Sequence, residues 1–266
     1  MTIGRAVAAG ASRAPLALLC VVALALTLPS IALASATPAS TAPSSPPPIA
    51  LPGGALLTPL SDLHAVSRWA YPSGEAAIRA APSGRSDALG RLRLLTGDGQ
   101  AEIYEALDSE RLASGATWVR IEIPARPNGR TGWVPRAALG TLHAVDGYLL
   151  VDEQSLHATL FHDGHAIFTA QVGVGKASTV TPTGHFYVME KLITENAPEY
   201  GPVALGTSAY APTLSEWPGG GVVGIHGTDE PQLIPGRPSH GCVRMRNADI
   251  ARLWSLIEVG TPIDIT

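Results

Sequence analysis

Cysteine is scarce in this chain, since Cys20 and Cys242 are the only two among its 266 residues. Charge is also sparse: only 15% of the residues are charged, and the formal net charge is −4. No block of like charges stands out, and the sequence pI of about 6.0 gives no basic surface for nucleic acid. The composition therefore predicts a protein that does not bind nucleic acid.

The first 34 residues have the pattern of a secretory signal. Arg5 and Arg13 precede an apolar run from Ala14 to Leu28, and Ala32-Leu33-Ala34 fits the small-residue rule for cleavage. We therefore expect residues 1–34 to direct export to the cell envelope, with no other membrane contact. An uncleaved anchor is the alternative, because the apolar stretch counted on to Ala34 reaches about twenty residues.

Once such a leader is removed, Cys242 is the only cysteine left in an oxidising compartment and has no disulfide partner in the chain. It lies in the segment IHGTDEPQLIPGRPSHGCVRM, which also contains His226 and His240. A thiol is a good nucleophile only as a thiolate, and a nearby imidazole can take its proton. The flanking glycines let backbone N–H groups approach a bound carbonyl. This composition indicates a reactive site.

Two pieces of this segment, SHGCVRM at residues 239–245 and IHGT at residues 225–228, resemble the signature of the YkuD-like L,D-transpeptidases, the cysteine enzymes of bacterial cell walls. Weaker similarity runs from about Gly147 to the C-terminus and includes TPTGHF and YGPVALGTSAY. The resemblance implies an acyl transfer without metal or cofactor. Its implied partners are peptidoglycan stem peptides, both as acyl donor and as amine acceptor.

The same resemblance implies a role for each residue of the motif. Cys242 is the expected nucleophile and His226 the base, with its ring oriented by the carbonyl of Gly227. The N–H groups of Gly241 and Cys242 are expected to hold the oxyanion, with His240 shaping that hole. Substrate binding is expected of two further residues: Arg244, which otherwise forms a structural salt bridge, and Ser239, which otherwise pins the turn.

The implied reaction opens a stem tetrapeptide between diaminopimelate and D-alanine and forms a 3→3 cross-link. The residues themselves do not choose this outcome over two alternatives, an L,D-carboxypeptidase that uses water or a wall-binding protein without catalysis. A zinc site is a further alternative, because His226, His240 and Cys242 are all competent ligands.

The sequence predicts a mainly β fold in two domains. Residues 35–66 are predicted to form a Pro/Ala/Ser-rich linker, which is an extended tether as far as about Pro59. Residues 67–141 contain five short strand patterns and resemble a bacterial SH3-like barrel. Residues 146–266 are expected to form a YkuD-like β-sandwich catalytic domain with a hairpin at Asp163-Gly164. Residues 195–217 read as a long loop or short-strand region.

One short helix is predicted near the C-terminus. Ile250, Leu253, Trp254 and Ile257 recur at helical spacing after Asn247, which we expect to cap the helix. The apolar face should pack on the sheet behind Cys242.

Overall fold

The computed structural model describes residues 46–62, 64–214 and 218–266. The predicted signal peptide, residues 1–34, and the first part of the predicted linker, residues 35–45, lie outside these ranges. Within them the chain is mainly β, as predicted, and has a single α-helix, α1 at Asn247–Leu256. No helix in the described ranges is long and apolar enough to cross a bilayer.

The N-terminal module, residues 49–145, is one curled sheet. Its strand order is β1-β2-β6-β7-β8-β4-β5, and β3 pairs with β6 and β9. The five strand patterns read from the sequence correspond to β4 through β8 and are confirmed; the likeness to an SH3-like domain stays a prediction. The strands are β1 (Ile49–Ala50), β2 (Leu56–Pro59), β3 (Ser67–Ala70), β4 (Ala77–Arg79), β5 (Ala88–Arg91), β6 (Tyr104–Arg111), β7 (Thr117–Glu122), β8 (Thr131–Pro135) and β9 (His143–Val145).

The prediction that the linker is an extended tether as far as Pro59 is wrong for the part that the structure describes, which begins at residue 46. Strand β2 pairs antiparallel with β6, from Leu56 opposite Arg111 to Pro59 opposite Asp108, and β1 folds back onto β2. The prediction rested on a low content of aromatic and branched residues, yet Leu56 and Leu57 lie in β2 and Ala55 is buried. A strand edge such as that of β6 also offers main-chain hydrogen bonds to any extended segment, whatever its side chains. Among the described residues, the first strand of the N-terminal module therefore begins at Ile49.

The C-terminal module, residues 147–265, is a ten-stranded sheet in the order β12-β11-β10-β19-β14-β15-β16-β18-β13-β17. Strands from both ends of this order contribute to one buried core, so the sheet curls around it. The strands are β10 (Gly147–Asp152), β11 (His157–His162), β12 (His165–Gln171), β13 (Gly173–Gly175), β14 (Gly184–Ile193), β15 (Val203–Tyr210), β16 (Val222–His226), β17 (Gly236–Ser239), β18 (Val243–Arg244) and β19 (Pro262–Ile265).

Local sequence accounts for the first hairpin of this sheet. Asp163 and Gly164 both have positive φ, 49° and 73°, which is the backbone twist that a two-residue turn between antiparallel strands requires. Strand β10 alternates, with Leu149 and Val151 fully buried. The closing strand β19 runs parallel to β10 and antiparallel to β14 in the middle of the sheet.

Two expectations for this half need correction. Residues 195–217 were read as a long loop or short strands, yet β15 is an eight-residue strand near the centre of the sheet, almost entirely buried. Its small residues and glycine look weak for a strand, but neighbours on both edges hold it in place. Asn247 does not cap α1: its Oδ1 accepts the N–H of Thr228 at 2.8 Å. The helix does pack on β15 and β16 through Ile250 and Leu253, as predicted.

The two modules share buried contacts. A small core contains Trp69, Ile103 and Val145 from the first module and Tyr187 and Met189 from the second. Beside it lies a polar cluster in which the ring of His185 meets two carboxylates. Its Nε2 lies 2.9 Å from Glu105 Oε2 and its Nδ1 lies 3.4 Å from Asp264 Oδ1. Burial alone would lower the pKa of His185, but Glu105, Glu122 and Asp264 together raise it from 6.5 to about 9.

This cluster makes stability depend on pH. Because the pKa of His185 is raised in the folded state, its contribution is complete below about pH 6.5 and is lost as pH rises to about 9. We expect His185→Gln to lower the free energy of unfolding by about 2–3 kcal/mol at the acid end of this window. The difference from the wild type should shrink toward the alkaline end, as measured by urea unfolding at several pH values. His165→Gln, an exposed control on β12, should behave as wild type. A difference in unfolding free energy between His185→Gln and the wild type that stays constant with pH would contradict the role given to His185.

Candidate active site

Parallel pairing of β16 with β18 brings the two motif pieces together. Ile225 lies opposite Val243 and His226 opposite Arg244, so Gly224 and Cys242 are neighbours one step earlier. The N–H of Gly224 donates to the Sγ of Cys242 at 3.4 Å. Cys242 is half-buried and His226 is only 4% exposed. Residues sixteen positions apart in sequence therefore sit on adjacent strands.

The His226 ring is held in one orientation and one tautomer. Its Nδ1 lies 2.7 Å from the carbonyl oxygen of Gly227. A carbonyl only accepts, so Nδ1 carries the hydrogen and the lone pair of the neutral ring is on Nε2. The ring of Tyr200 packs against it with centroids 4.8 Å apart and planes inclined at 61°. The contact with Gly227 is the one the sequence predicted; Tyr200 had no predicted role.

Gly227 has no room for a side chain. A Cβ there would lie 2.3 Å from Oδ1 of Asn247 and 2.8 Å from Cα of Gly201. Gly201 is equally confined and has a φ of 68°, which favours glycine. The carbonyl that orients His226 is thus fixed by close backbone packing.

Both reactive groups are neutral at rest. Burial lowers the pKa of His226 from 6.5 to about 4, helped by the charge of Arg244 and opposed by the Gly227 contact. Burial also raises the pKa of Cys242, although the Gly224 N–H and Arg244 act in the other direction. The thiolate–imidazolium pair expected from the sequence is therefore not the resting state. The arrangement instead favours a thiol whose proton moves to His226 only during attack.

Ser239 stabilises the turn before Cys242. Its hydroxyl donates to the carbonyl of Cys242 at 2.6 Å and accepts the N–H of Gly241 at 3.0 Å. Gly241 has a φ of 122°, a conformation that residues with a Cβ rarely adopt. Because its N–H is already bonded to Ser239, the expectation that Gly241 donates to an oxyanion is not met in this structure. His240 is exposed at the same turn.

Arg244 lies beside His226 and is paired with one exposed acid. Its Nη1 is 3.2 Å from Glu230 Oε2. Its Nε is buried and has no hydrogen-bond partner among the described residues. Both expected roles, salt bridge and carboxylate clamp, are therefore compatible with its position, since the pair with Glu230 leaves donors of the guanidinium available.

Two cavities meet at Cys242 and His226. The arginine-side cavity, about 90 Å³, also contains Glu199, Ser239, His240, Gly241 and Arg244 in its wall. The acid-side cavity, about 290 Å³, is lined instead by Asp98, Glu190, Leu192, Ala204, Gly206 and Gly224. Tyr200 and Val222 line both. A group at the sulfur can thus be approached from two sides.

The zinc alternative has no support in the geometry. Among the described residues, ligand atoms converge within 4.8 Å in two groups, Glu105 with Glu122 and His185, and Asp146 with His162 and Asp163. Neither group includes the set of His226, His240 and Cys242.

Sequence reasoning missed the residues that surround the predicted pair. Gly224 precedes His226 by two positions, so the period of a strand puts both on one face, and this signal was available. Tyr200 lay within a stretch noted as similar to the family, but nothing local indicated contact with His226. Asp98 comes from the other module, and no local pattern could place it here.

Comparisons with known proteins identify the family of the C-terminal module. The YkuD family, described as the L,D-transpeptidase catalytic domain, matches residues 146–265. YkuD of Bacillus subtilis, named as an L,D-transpeptidase, is 36% identical over 107 residues, 40% of this chain and 58% of that protein. YqjB of the same species, named likewise, is 32% identical over 129 residues, 46% of this chain and 72% of that protein. The chain belongs to the YkuD family of L,D-transpeptidases.

Solved structures of similar proteins carry the same name. An L,D-transpeptidase from Mycobacterium smegmatis is 15% identical, covering 57% of this chain and 90% of that one, with a TM-score of 0.38. The catalytic domain of the E. faecium L,D-transpeptidase is 27% identical, covering 46% of this chain and 97% of that one, with a TM-score of 0.34. The chain spans a little under three fifths of the first Bacillus relative, 58% of its length.

The confinement of Gly227 gives a test of the site. We expect Gly227→Ala to displace the carbonyl that orients His226 and to slow alkylation of Cys242 by iodoacetamide roughly 10²-fold, since small misplacements of a reacting group cost that much. The measurement is the mass-spectrometric rate of single-site labelling. Gly90→Ala, where a methyl meets nothing within 4 Å, is the matched control and should label at the wild-type rate. Equal rates for both variants would show that the Gly227 contact does not govern the thiol.

Proposed function

We propose that this chain is an exported cysteine L,D-transpeptidase that acts on peptidoglycan stem peptides. One observation carries the proposal: a half-buried thiol and an imidazole with its lone pair on Nε2 line the same two cavities. The family supports the substrate class, because L,D-transpeptidases act on peptidoglycan peptides. Export rests on the leader pattern of residues 1–34.

In the first half-reaction Cys242 Sγ attacks the carbonyl carbon of the donor peptide while its proton passes to Nε2 of His226. The tetrahedral intermediate collapses with cleavage of the C–N bond. His226 returns the proton to the departing amine of D-alanine, which leaves a thioester on Cys242. The neutral resting states of both groups support this order, since no charge has to be buried before substrate arrives.

Backbone N–H groups near Cys242 are the expected donors to the oxyanion, and loss of one such donor typically costs on the order of 3 kcal/mol. The N–H of Cys242 itself is the leading candidate, with His240 shaping the hole. Gly241 can contribute only if its N–H leaves the hydroxyl of Ser239, 3.0 Å away. We expect substrate binding to release the N–H of Gly241 from the hydroxyl of Ser239. Ser239 contacts the substrate only after this release.

In the second half-reaction an amine of another stem peptide attacks the thioester carbon. A C–N bond forms, the C–S bond breaks, and the proton lost by the amine passes through His226 to the sulfur. The product is the 3→3 cross-link. Water in place of the amine gives a tripeptide, which is the carboxypeptidase alternative.

The arginine-side cavity fits the acyl donor. The group released from the donor carries a carboxylate, and Arg244 is the cation in the wall of this cavity. A guanidinium binds carboxylate through paired N–H donors, and the Nε of Arg244 has no partner in the described residues. We assign Arg244 the role of substrate clamp on this basis.

The direct test uses a purified disaccharide-tetrapeptide and mass spectrometry. We expect a thioester on Cys242, release of D-alanine, and a dimer with a 3→3 bond, because both half-reactions are available at one sulfur. Cys242→Ala should abolish all three. Tripeptide without dimer would replace transpeptidation by the carboxypeptidase reaction. Wall binding with no thioester would leave the non-catalytic alternative.

The pKa of His226 predicts how the rate of acylation falls at acid pH. Protonation removes the lone pair of Nε2, so acylation should fall as pH drops through about 4 and should be level between about 5 and 7. An exposed histidine would instead make the acylation rate fall as pH drops through about 6.5. The measurement is the rate of thioester formation at each pH. Samples returned to neutral pH must regain full activity, which separates titration from unfolding. A half-maximal rate near pH 6.5 would contradict the buried neutral base.

A further inference from the structure

The acid-side cavity contains a groove that runs across the sheet from Cys242. Register pairing aligns Glu190 with Gly206 and Gly206 with Gly224 on three adjacent strands, and the N–H of Gly224 donates to the Sγ of Cys242, the residue before β18. Residues in one such row point to the same face of a sheet. Gly206 and Gly224 have no side chains; the side chain of Glu190 covers Gly206, so the bare backbone of the floor lies at Gly224, between Glu190 and the sulfur. At about 4.8 Å per strand the row is roughly 14 Å long.

The far end of this groove is acidic and is built by both modules. The side chain of Glu190 lies over Gly206, where a Cβ would come within 2.6 Å of its Oε1. Thr96 of the N-terminal module donates its hydroxyl to Glu190 Oε2 at 2.7 Å. Asp98, two residues further along the same turn, is exposed and completes the wall of the cavity. Burial, together with Asp98, raises the pKa of Glu190.

The two cavities at the sulfur therefore differ in charge. The arginine-side cavity holds the cation Arg244 together with Glu199, whereas Asp98 and Glu190 give the acid-side cavity a negative end and no Lys or Arg among the described residues lines it. Transfer from a thioester needs two substrates of opposite character. The donor presents a carboxylate near the bond that breaks, and the acceptor arrives as an ammonium ion in neutral water.

We propose that the acid-side cavity is the acceptor subsite, that its floor at Gly224 admits the aliphatic chain that carries the acceptor's primary amine, and that Asp98 and Glu190 attract this amine in its cationic form. This inference rests on the proposed function. Glu190 lies about two strand spacings from the sulfur, so the pair selects and guides the amine and does not touch the reacting nitrogen. The ammonium ion gives one proton to solvent water before its nitrogen attacks the thioester carbon, and the second proton passes through His226 to the sulfur.

One consequence concerns the N-terminal module. Thr96 and Asp98 belong to it, so this module completes the acceptor subsite of the other one. Its position in the structure is set by the shared core and by the hydroxyl of Thr96 on Glu190. Selection of the acceptor is a role that an isolated C-terminal module would lack.

The test compares two amines on the same preformed thioester. Nα-acetyl-lysine amide carries a cationic amine on an unbranched chain, and hydroxylamine is uncharged at neutral pH. In Asp98→Asn and in Glu190→Gln we expect the rate of aminolysis by the lysine amide to fall about three- to fivefold. Aminolysis by hydroxylamine should change little. High salt should shrink the difference between variants and wild type, because it screens exposed charges.

Gly224→Ala probes the floor independently of charge. A methyl there would lie 3.5 Å from the Leu205 carbonyl oxygen and 3.8 Å from His226 Cδ2, so it fits without displacing the backbone. It should slow the lysine amide more than hydroxylamine. Asp87→Asn removes an exposed carboxylate of the same module that does not line the cavity, and both rates should match the wild type.

The outcomes separate the inference from the proposed function. A wild-type protein that forms no thioester on Cys242 overturns the proposed function and this inference with it. A thioester that forms normally, with the same ratio of the two aminolysis rates in Asp98→Asn, Glu190→Gln, Gly224→Ala and wild type, overturns the acceptor subsite alone.

Discussion

The parallel pairing of β16 with β18 is the constraint on which the site depends. It aligns Gly224 with Cys242 and His226 with Arg244, so thiol, base and cation share one face of the sheet. The opposite face is covered by α1, which packs on β15 and β16. A short β18 of only two residues keeps this register because the turn before it is fixed by the hydroxyl of Ser239. Backbone pairing therefore sets the geometry that the chemistry needs.

Burial then decides the charge of the reactive groups. Desolvation favours the neutral form of both an imidazole and a thiol, and it lowers the pKa of His226 while raising that of Cys242. A hydrogen bond from Nδ1 to the Gly227 carbonyl fixes the tautomer without adding a carboxylate. The arrangement is compatible with the proposed proton transfer from Cys242 to His226 without a third acidic residue. Arg244 is the nearest fixed charge.

Contacts between the two modules help to build the surroundings of the candidate active site. Tyr187 and Met189 share a core with Trp69, and His185 joins Glu105 across the same boundary. His185 lies on β14, the strand that also carries Glu190 into the acid-side cavity. Packing that holds the modules together thereby also determines what surrounds the sulfur. The first module is part of the site's architecture.

The sequence by itself predicted a nucleophile, its base and the carbonyl that orients this base, because SHGCVRM and IHGT are local patterns with a specific chemistry, and the structure shows the predicted contact between His226 and Gly227. It also determined the strands whose residues alternate and the apolar face of α1. The tertiary structure decided what depends on distant partners. It made β15 a central strand, paired β2 with the edge of β6, bonded Gly241 to Ser239, and brought Asp98 to a cavity on the other module. Each of these follows from hydrogen bonds or burial supplied by residues far away in the chain, which no local pattern encodes.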